Sequence, residues 1–151
     1  MLKIRTYRDY WNKFRDSIDE LEAITLVHSE GQLSKKISSL RSKHFFLAVV
    51  MPSADIESRD PDSLKYSYDG IIFILSPTVN SEQNEDLFID NFDKTGDIAQ
   101  VIIETLNNDC CSGCHIFNEL DFGSIKIDPE VNFMQCDGYS VSFRFKYPFN
   151  S

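Results

Sequence analysis

Cys110 to His115 reads Cys-Cys-Ser-Gly-Cys-His, and within it Cys111, Cys114 and His115 spell C-x-x-C-H. That spacing suits a covalently attached haem, a zinc site, a thiol–disulfide centre or a plain loop. Haem attachment normally takes place outside the cytoplasm. The opening MLKIRTYRDYW has charges where an export signal needs an apolar stretch. A thioredoxin-like centre needs its C-x-x-C to open a helix, whose N-terminus lowers the thiol pKa. Here the motif follows a helical pattern and leads toward strands, the unfavourable end of the dipole.

Zinc is harder to set aside. Cys111 and Cys114 have knuckle spacing and His115 offers a third donor, so a fourth must come from Cys110, Cys136, His28 or His44. If Asp137-Gly138 is a two-residue hairpin turn, Cys136 pairs with Tyr139, Met134 with Val141 and Asn132 with Phe143. Cys136 then lies on the apolar face with Tyr139 and Val141, a small core residue rather than a ligand. The same register sends Val131 and Phe133 to the Ser140/Ser142 face, which requires a bulge or a second covered face. The context favours the plain loop over zinc, and no residue is assigned a catalytic, cofactor-binding or metal role.

Other chemistry is thinner. His28 and His44 are isolated in sequence, and Asp60 and Asp62 flank Pro61 in a polar stretch where solvated carboxylates are the default. There is no Gly-rich phosphate loop, no G-x-S-x-G and no H-E-x-x-H. The expectation is a protein without enzymatic activity and without a cofactor.

The elements around these residues follow from periodicity. Tyr7, Tyr10, Trp11, Phe14, Ile18 and Leu21 recur at helical steps, with Thr6 as a candidate N-cap. Ile24 to His28 either continues this helix or forms a brief strand, and Leu33, Ile37 and Leu40 predict a second helix. Phe45 to Met51 is an apolar run halted by Pro52, and 53–63 is expected as a loop. A strand over Tyr66 to Leu75 contains IIFIL, apolar enough to be covered on both faces. Pro77 to Asn91 is expected as an acidic loop. A helix follows, capped by Asp93 or Thr95, with Ile98, Val101, Ile102 and Leu106 as its stripe, ending at Asn107-Asn108-Asp109. The tail predicts strands at Ile125 and Ile127, at Val131 to Cys136 and at Tyr139 to Tyr147, the last alternating apolar and polar residues. The fold class is therefore α+β. One domain over 1–151 holds a mixed or antiparallel sheet of about four to five strands, packed against two to three helices and ending in a β-hairpin.

The formal charge of −9 is uneven. Residues 1–66 carry a net of +1 and residues 67–151 a net of −10. Lys3, Arg5, Arg8, Lys13 and Arg15 face only Asp9, whereas Glu82, Glu85, Asp86, Asp90, Asp93 and Asp97 are opposed only by Lys94. Two solvated faces would explain this, as would a dipolar subunit whose basic end meets a neighbour's acidic segment. No stretch is basic enough for nucleic-acid readout, and no apolar run approaches the ~18 residues of a membrane span. A cytoplasmic protein with reduced cysteines is expected.

The stretches DGIIFILSP, DKTGDIAQVIIETLNND and GYSVSFRFKYP, in this order of elements, resemble the small α+β subunits that terminate phage tails or join tail to head, including those of Bacteroidetes prophages and related injection systems. The resemblance implies a wedge-shaped subunit that associates head to tail in a ring, often a hexamer, with loops facing the tail tube or neck proteins. It also implies residence in the host cytoplasm and then in the assembled particle. The CCSGCH loop has no counterpart in that family. The alternative is a cytoplasmic metal-binding or adaptor domain with zinc at the Cys110–His115 loop.

Overall fold

A computed structural model describes residues 1–40, 43–58, 60–113 and 116–149. The chain runs α1 (Ile4–Asn12), α2 (Phe14–Ser17), β1 (Ala23–Val27), α3 (Glu30–Leu40), β2 (Phe46–Glu57), β3 (Lys65–Pro77), α4 (Glu85–Cys111), β4 (Glu119–Phe133) and β5 (Cys136–Pro148). The strands form one mixed five-stranded sheet in the order β1-β2-β3-β5-β4. Only β1 and β2 are parallel, and α3 is the connection such a pair requires. The fold is α+β and closes with the β4–β5 hairpin, as expected.

Helices cover the sheet on both sides. On one face Tyr7, Trp11, Phe14, Ile98, Ile102 and Leu106 pack against Leu47, Ile72, Ile74, Val141, Phe143 and Phe145. On the other, Leu33 and Ile37 of α3 pack on Val27, Phe46, Ala48, Phe73 and Leu75, together with Cys136. Coverage of both faces is why IIFIL has no polar partner residues: Ile72 to Leu75 are all buried. β5 lies between β3 and β4, with Val141, Phe143 and Phe145 buried and Arg144 exposed.

Several boundaries differ from the expected ones. The first helix begins at Ile4 with Lys3 at its N-cap, so Thr6 lies inside it. It ends at Asn12 and the short α2 carries the chain to Ser17, beyond which Ile18 is extended; Ile18 and Leu21 are buried, but on a chain turning into β1. Pro52 does not halt β2, which continues to Glu57. β1 pairs only with Phe46 to Val50, so Pro52 has no β1 partner to bond, and a register shift between Val50 and Ser53 accommodates it. Residues 53–57, expected as loop, are therefore strand.

α4 begins at Glu85, inside the segment expected as loop. The Asn84 side chain accepts the Leu87 N–H at 3.2 Å, and Glu85 and Asp86 suit the positive end of the dipole. Thr95 is no cap: its hydroxyl donates back to the Asn91 and Phe92 carbonyls within the helix. Asn107 to Asp109 remain helical, and the Asp109 carboxylate accepts from the Tyr10 hydroxyl and Lys13 Nζ, each at 2.6 Å.

The hairpin turn also moves. Phe133 pairs with Cys136, so the two-residue turn is Met134-Gln135, both with positive φ (51° and 65°). Asp137 and Gly138 belong to β5. The observed register sets Ile127 against Val141 and Pro129 against Tyr139, with a shift between Glu130 and Phe133. Cys136 is fully buried, but on the α3 face rather than beside Val141. Both remedies implied by the Val131/Phe133 conflict are present: the strand is irregular there, and Phe133 stacks on Phe73 of the second face at 4.9 Å.

Aromatic rings fill the larger core. Tyr7 stacks on Phe145 at 6.2 Å and meets Trp11 and Phe117 edge-on. The Tyr7 hydroxyl and Trp11 Nε1 are buried without a partner of hydrogen-bonding geometry among the described residues. Burial pushes the Tyr7 hydroxyl well above the ordinary tyrosine range, and the neighbouring Trp11 indole opposes this in smaller part. Tyr7→Phe is therefore expected to leave stability unchanged or raise it by about 1 kcal/mol, since it removes a desolvated donor. The same burial contributes stability that is intact below the unfolded tyrosine pKa of about 10 and is lost as pH rises beyond it. Chemical denaturation of both proteins at neutral and alkaline pH checks this. A clear loss of stability in Tyr7→Phe at neutral pH would contradict it.

Candidate functional site

The cysteine segment is the first candidate. Cys110 and Cys111 form the last residues of α4, and the Ser112 N–H closes the helix on the Asn108 carbonyl at 2.9 Å. Gly113 turns the chain away with φ of 75°. Cys110 is half-buried against the larger core, its thiol 3.7 Å from the Asn118 carbonyl, whereas Cys111 is exposed. Cys114 and His115 lie outside the described residues, and so does the geometry of any C-x-x-C-H site. Cys136 belongs to the α3 side of the sheet while Cys110 packs on the opposite side, which separates Cys136 from that segment.

The histidines are also dispersed. His28 and His44 are both exposed. The His28 N–H donates to Gln32 Oε1, and the His44 ring lies against Phe45 at 4.7 Å. Asp60 and Asp62 are solvated, with the Asp62 N–H donating to Asp60 Oδ1. Among the described residues no three His, Cys, Asp or Glu side chains are grouped to hold a metal ion. Replacing Cys110, Cys111 and Cys114 together with Ser is expected to cost less than about 1 kcal/mol, since Cys111 is exposed and Cys110 half-buried. Thermal melts with metal analysis on the same sample check this; stoichiometric zinc, or a large loss of stability, would contradict it.

The charged surfaces are the second candidate, and here the fold organises what the sequence only lists. Along α4, at ~100° per residue, Asp86, Asp90, Asp93 and Asp97 fall on one narrow stripe, flanked by Leu87 on one side and Ile89 on the other. All four carboxylates are exposed, and Leu87 and Ile89 remain 40% and 45% exposed. The opposite side of the helix carries the buried Thr95, Ile98, Ala99, Ile102 and Leu106.

The basic surface is built on α1. Tyr7, Tyr10 and Trp11 face the core, leaving Arg5 and Arg8 outward. Arg8 is engaged by the adjacent Asp9 at 2.8 Å and Lys13 by Asp109 at 2.6 Å, while Lys3, Arg5 and Arg15 make no ion pair among the described residues. These contacts are half-exposed and worth little to the fold.

The start of α1 and the first turns of α4 sit at opposite ends of the central strands. The Leu2 N–H donates to the Tyr68 hydroxyl and Tyr7 stacks on Phe145, which puts the start of α1 at the Tyr68/Phe145 end. Phe92, in the acidic half of α4, meets Tyr139 edge-on at 5.7 Å. Tyr139 and Phe145 are six residues apart on β5, about 20 Å of strand. The start of α1 is therefore remote from Asp86 and Asp90, whereas Ile18, just beyond Arg15, lines one hollow with Asp97.

A separate apolar hollow of about 370 Å³ opens on the α3 side, lined by Leu33, Val50, Ile71, Phe73, Phe133 and Met134. No described helix is long and apolar enough to cross a membrane. No family model, curated protein or solved structure matches the chain.

Sequence reasoning reached the acidic residues and the basic N-terminal segment. It missed Leu87 and Ile89, because a segment expected as loop has no outward face. The signal was present as Asn84 followed by Glu85 and Asp86, a cap and a first helical turn.

Proposed function

We propose that this chain is a non-enzymatic structural subunit that assembles head to tail through unlike surfaces, as a tail terminator or head–tail connector of a phage or phage-like particle. The observation that carries the assembly is the placement of the basic start of α1 and the acidic first turns of α4 at opposite ends of β3 and β5. Surfaces so separated cannot neutralise each other across a two-fold interface unless both lie in the same patch, whereas a head-to-tail ring pairs them repeatedly. The particle itself comes from the resemblance in DGIIFILSP, the α4 sequence and GYSVSFRFKYP. The subunit would form in the host cytoplasm and take the tail tube or neck proteins as further partners.

Charge would steer and register the contact while apolar area beside it holds the complex. Assembly should weaken with salt without vanishing, because exposed pairs are screened and buried area is not. Reversing Arg8 and Arg15 to Glu is expected to slow or abolish ring formation, and adding Asp86→Lys and Asp90→Lys to the same chain to restore part of it. Sedimentation velocity across a salt series, with and without tail components, checks this. Assembly indifferent to both reversals would contradict the electrostatic part of the proposal.

A further inference from the structure

We propose that the hollow between α3 and the β4–β5 turn is a binding site for a small, neutral, planar aromatic molecule. The site is independent of how copies of the chain assemble.

The hollow has a volume of about 370 Å³, near the lower end of the ~300–1,000 Å³ of small-molecule pockets, so it suits one or two fused rings. Its lining selects the class of ligand. Among the described residues that line it, Ser29 alone is polar and none is charged. An ion would lose hydration there with no partner to replace it, which disfavours charged ligands. Part of the wall is formed by Phe73 and Phe133, whose rings are parallel to within 6° with centroids 4.9 Å apart. A flat ring packs against such a wall at less conformational cost than a flexible chain, which must freeze its rotors to enter. At the exposed rim the Ser29 hydroxyl oxygen accepts the Gln32 N–H at 3.3 Å, and its own hydrogen can donate to one acceptor on the ligand.

The backbone converges on the same place. Asn132, Met134 and Gln135 are the non-glycine residues with positive φ among the described residues, at 53°, 51° and 65°. Between and among them are the wall residues Phe133 and Met134. Asn-Gly would make a two-residue hairpin turn without strain, whereas a side chain in this region costs stability. Buried polar groups hold the turn nonetheless. The Asp137 carboxylate, 3% exposed, accepts the Asn132 N–H at 2.7 Å and the Thr78 hydroxyl at 3.4 Å. The Thr78 N–H donates to the Gln135 carbonyl at 3.0 Å. What glycine could not supply at position 134 is the side chain. Met134 packs on the α3-side core and lines the hollow, where an unbranched thioether adapts to the outline of a ring. The strain thus places a contact residue.

Two variants separate the site from the fold. Met134→Gly removes a wall side chain and relieves its strain, and Val50→Phe fills the hollow without touching the turn. The probe is the naphthalene ketone prodan, neutral and planar with one carbonyl acceptor, and anilinonaphthalene sulfonate is its anionic control. Fluorescence titration of the wild type should show saturable, blue-shifted prodan emission at one site per chain, with the sulfonate bound about tenfold more weakly or worse. Each variant should bind prodan about tenfold more weakly. Met134→Gly should melt at the wild-type temperature or about 2–4 °C above it, with circular dichroism confirming that both variants fold. A wild type without saturable binding would overturn the site, as would binding undiminished in folded Val50→Phe, since the probe would then sit elsewhere. Sulfonate bound as tightly as prodan would overturn the neutral class. Met134→Gly binding as well as wild type would overturn the role of the turn.

Discussion

Replacing Gly138 with Ala is expected to cost more than about 3 kcal/mol and to leave little folded protein near physiological temperature. A methyl group at this position would lie 2.0 Å from the Ile74 carbonyl oxygen and 3.2 Å from Leu75 Cα. Those atoms are backbone of β3, the strand at the middle of the sheet, and have no rotamer to give way. The φ of +156° adds to the difficulty for any residue with a side chain. Relief requires β3 and β5 to separate where Leu75 pairs with Gly138 and Ser76 with Asp137. The cost is a large share of a total stability of about 5–15 kcal/mol. Gly31, in α3, has nothing within 4 Å of an added methyl, so Gly31→Ala should be neutral or slightly stabilising. Urea denaturation of the two variants checks the contrast. A Gly138→Ala midpoint close to wild type would contradict the close approach of β3 and β5.

Phe143→Ala is expected to destabilise by about 3–5 kcal/mol, the range for deleting a buried ring. Phe143 is 3% exposed and touches Trp11, Phe117 and Phe145 with ring centroids 5.8–6.0 Å apart. It also lies over Gly70, its cross-strand partner, so closely that a methyl there would be 2.5 Å from Phe143 Cε2. The ring thus fills the space that glycine leaves on the sheet, and its removal bares both the cavity and the Gly70 backbone. Gly70→Ala should be costly in the wild type and much less so in the Phe143→Ala background, a coupling that a double-mutant cycle measures. A denaturation midpoint unchanged by Phe143→Ala would place β5 outside the core.

The same residues show what the sequence made legible. The alternation from Tyr139 to Tyr147 located β5 because one of its faces meets the larger core, but the face expected to be wet is largely covered: Cys136 and Ser140 are buried, Ser142 and Lys146 half-buried, and Arg144 exposed. IIFIL announced two covered faces for the same kind of reason. Asp137-Gly138 misled because a glycine required for backbone approach is indistinguishable in sequence from one required for a turn. The true turn, Met134-Gln135, places two non-glycine residues at positive φ, against local preference, and tertiary contacts such as Phe133 on Phe73 hold it there. Pro52 misled because a proline stops a strand only where its N–H is needed, and β1 is too short to need it. Asn84 to Asn91 misled because its polar and acidic residues masked the helical spacing of Phe88 and Phe92, whose rings stand 5.0 Å apart. Of the candidate surfaces, the charged residues were legible as types, but the separation of the start of α1 from Asp86 and Asp90 depends on the packing of α1 and α4.

Assembly is tested most directly by the mass of the purified protein under native conditions, at low and at high salt, with tail components present and absent. The account predicts closed oligomers of one size that lose population as salt rises without disappearing. A protein that remains monomeric under all of these conditions would contradict it.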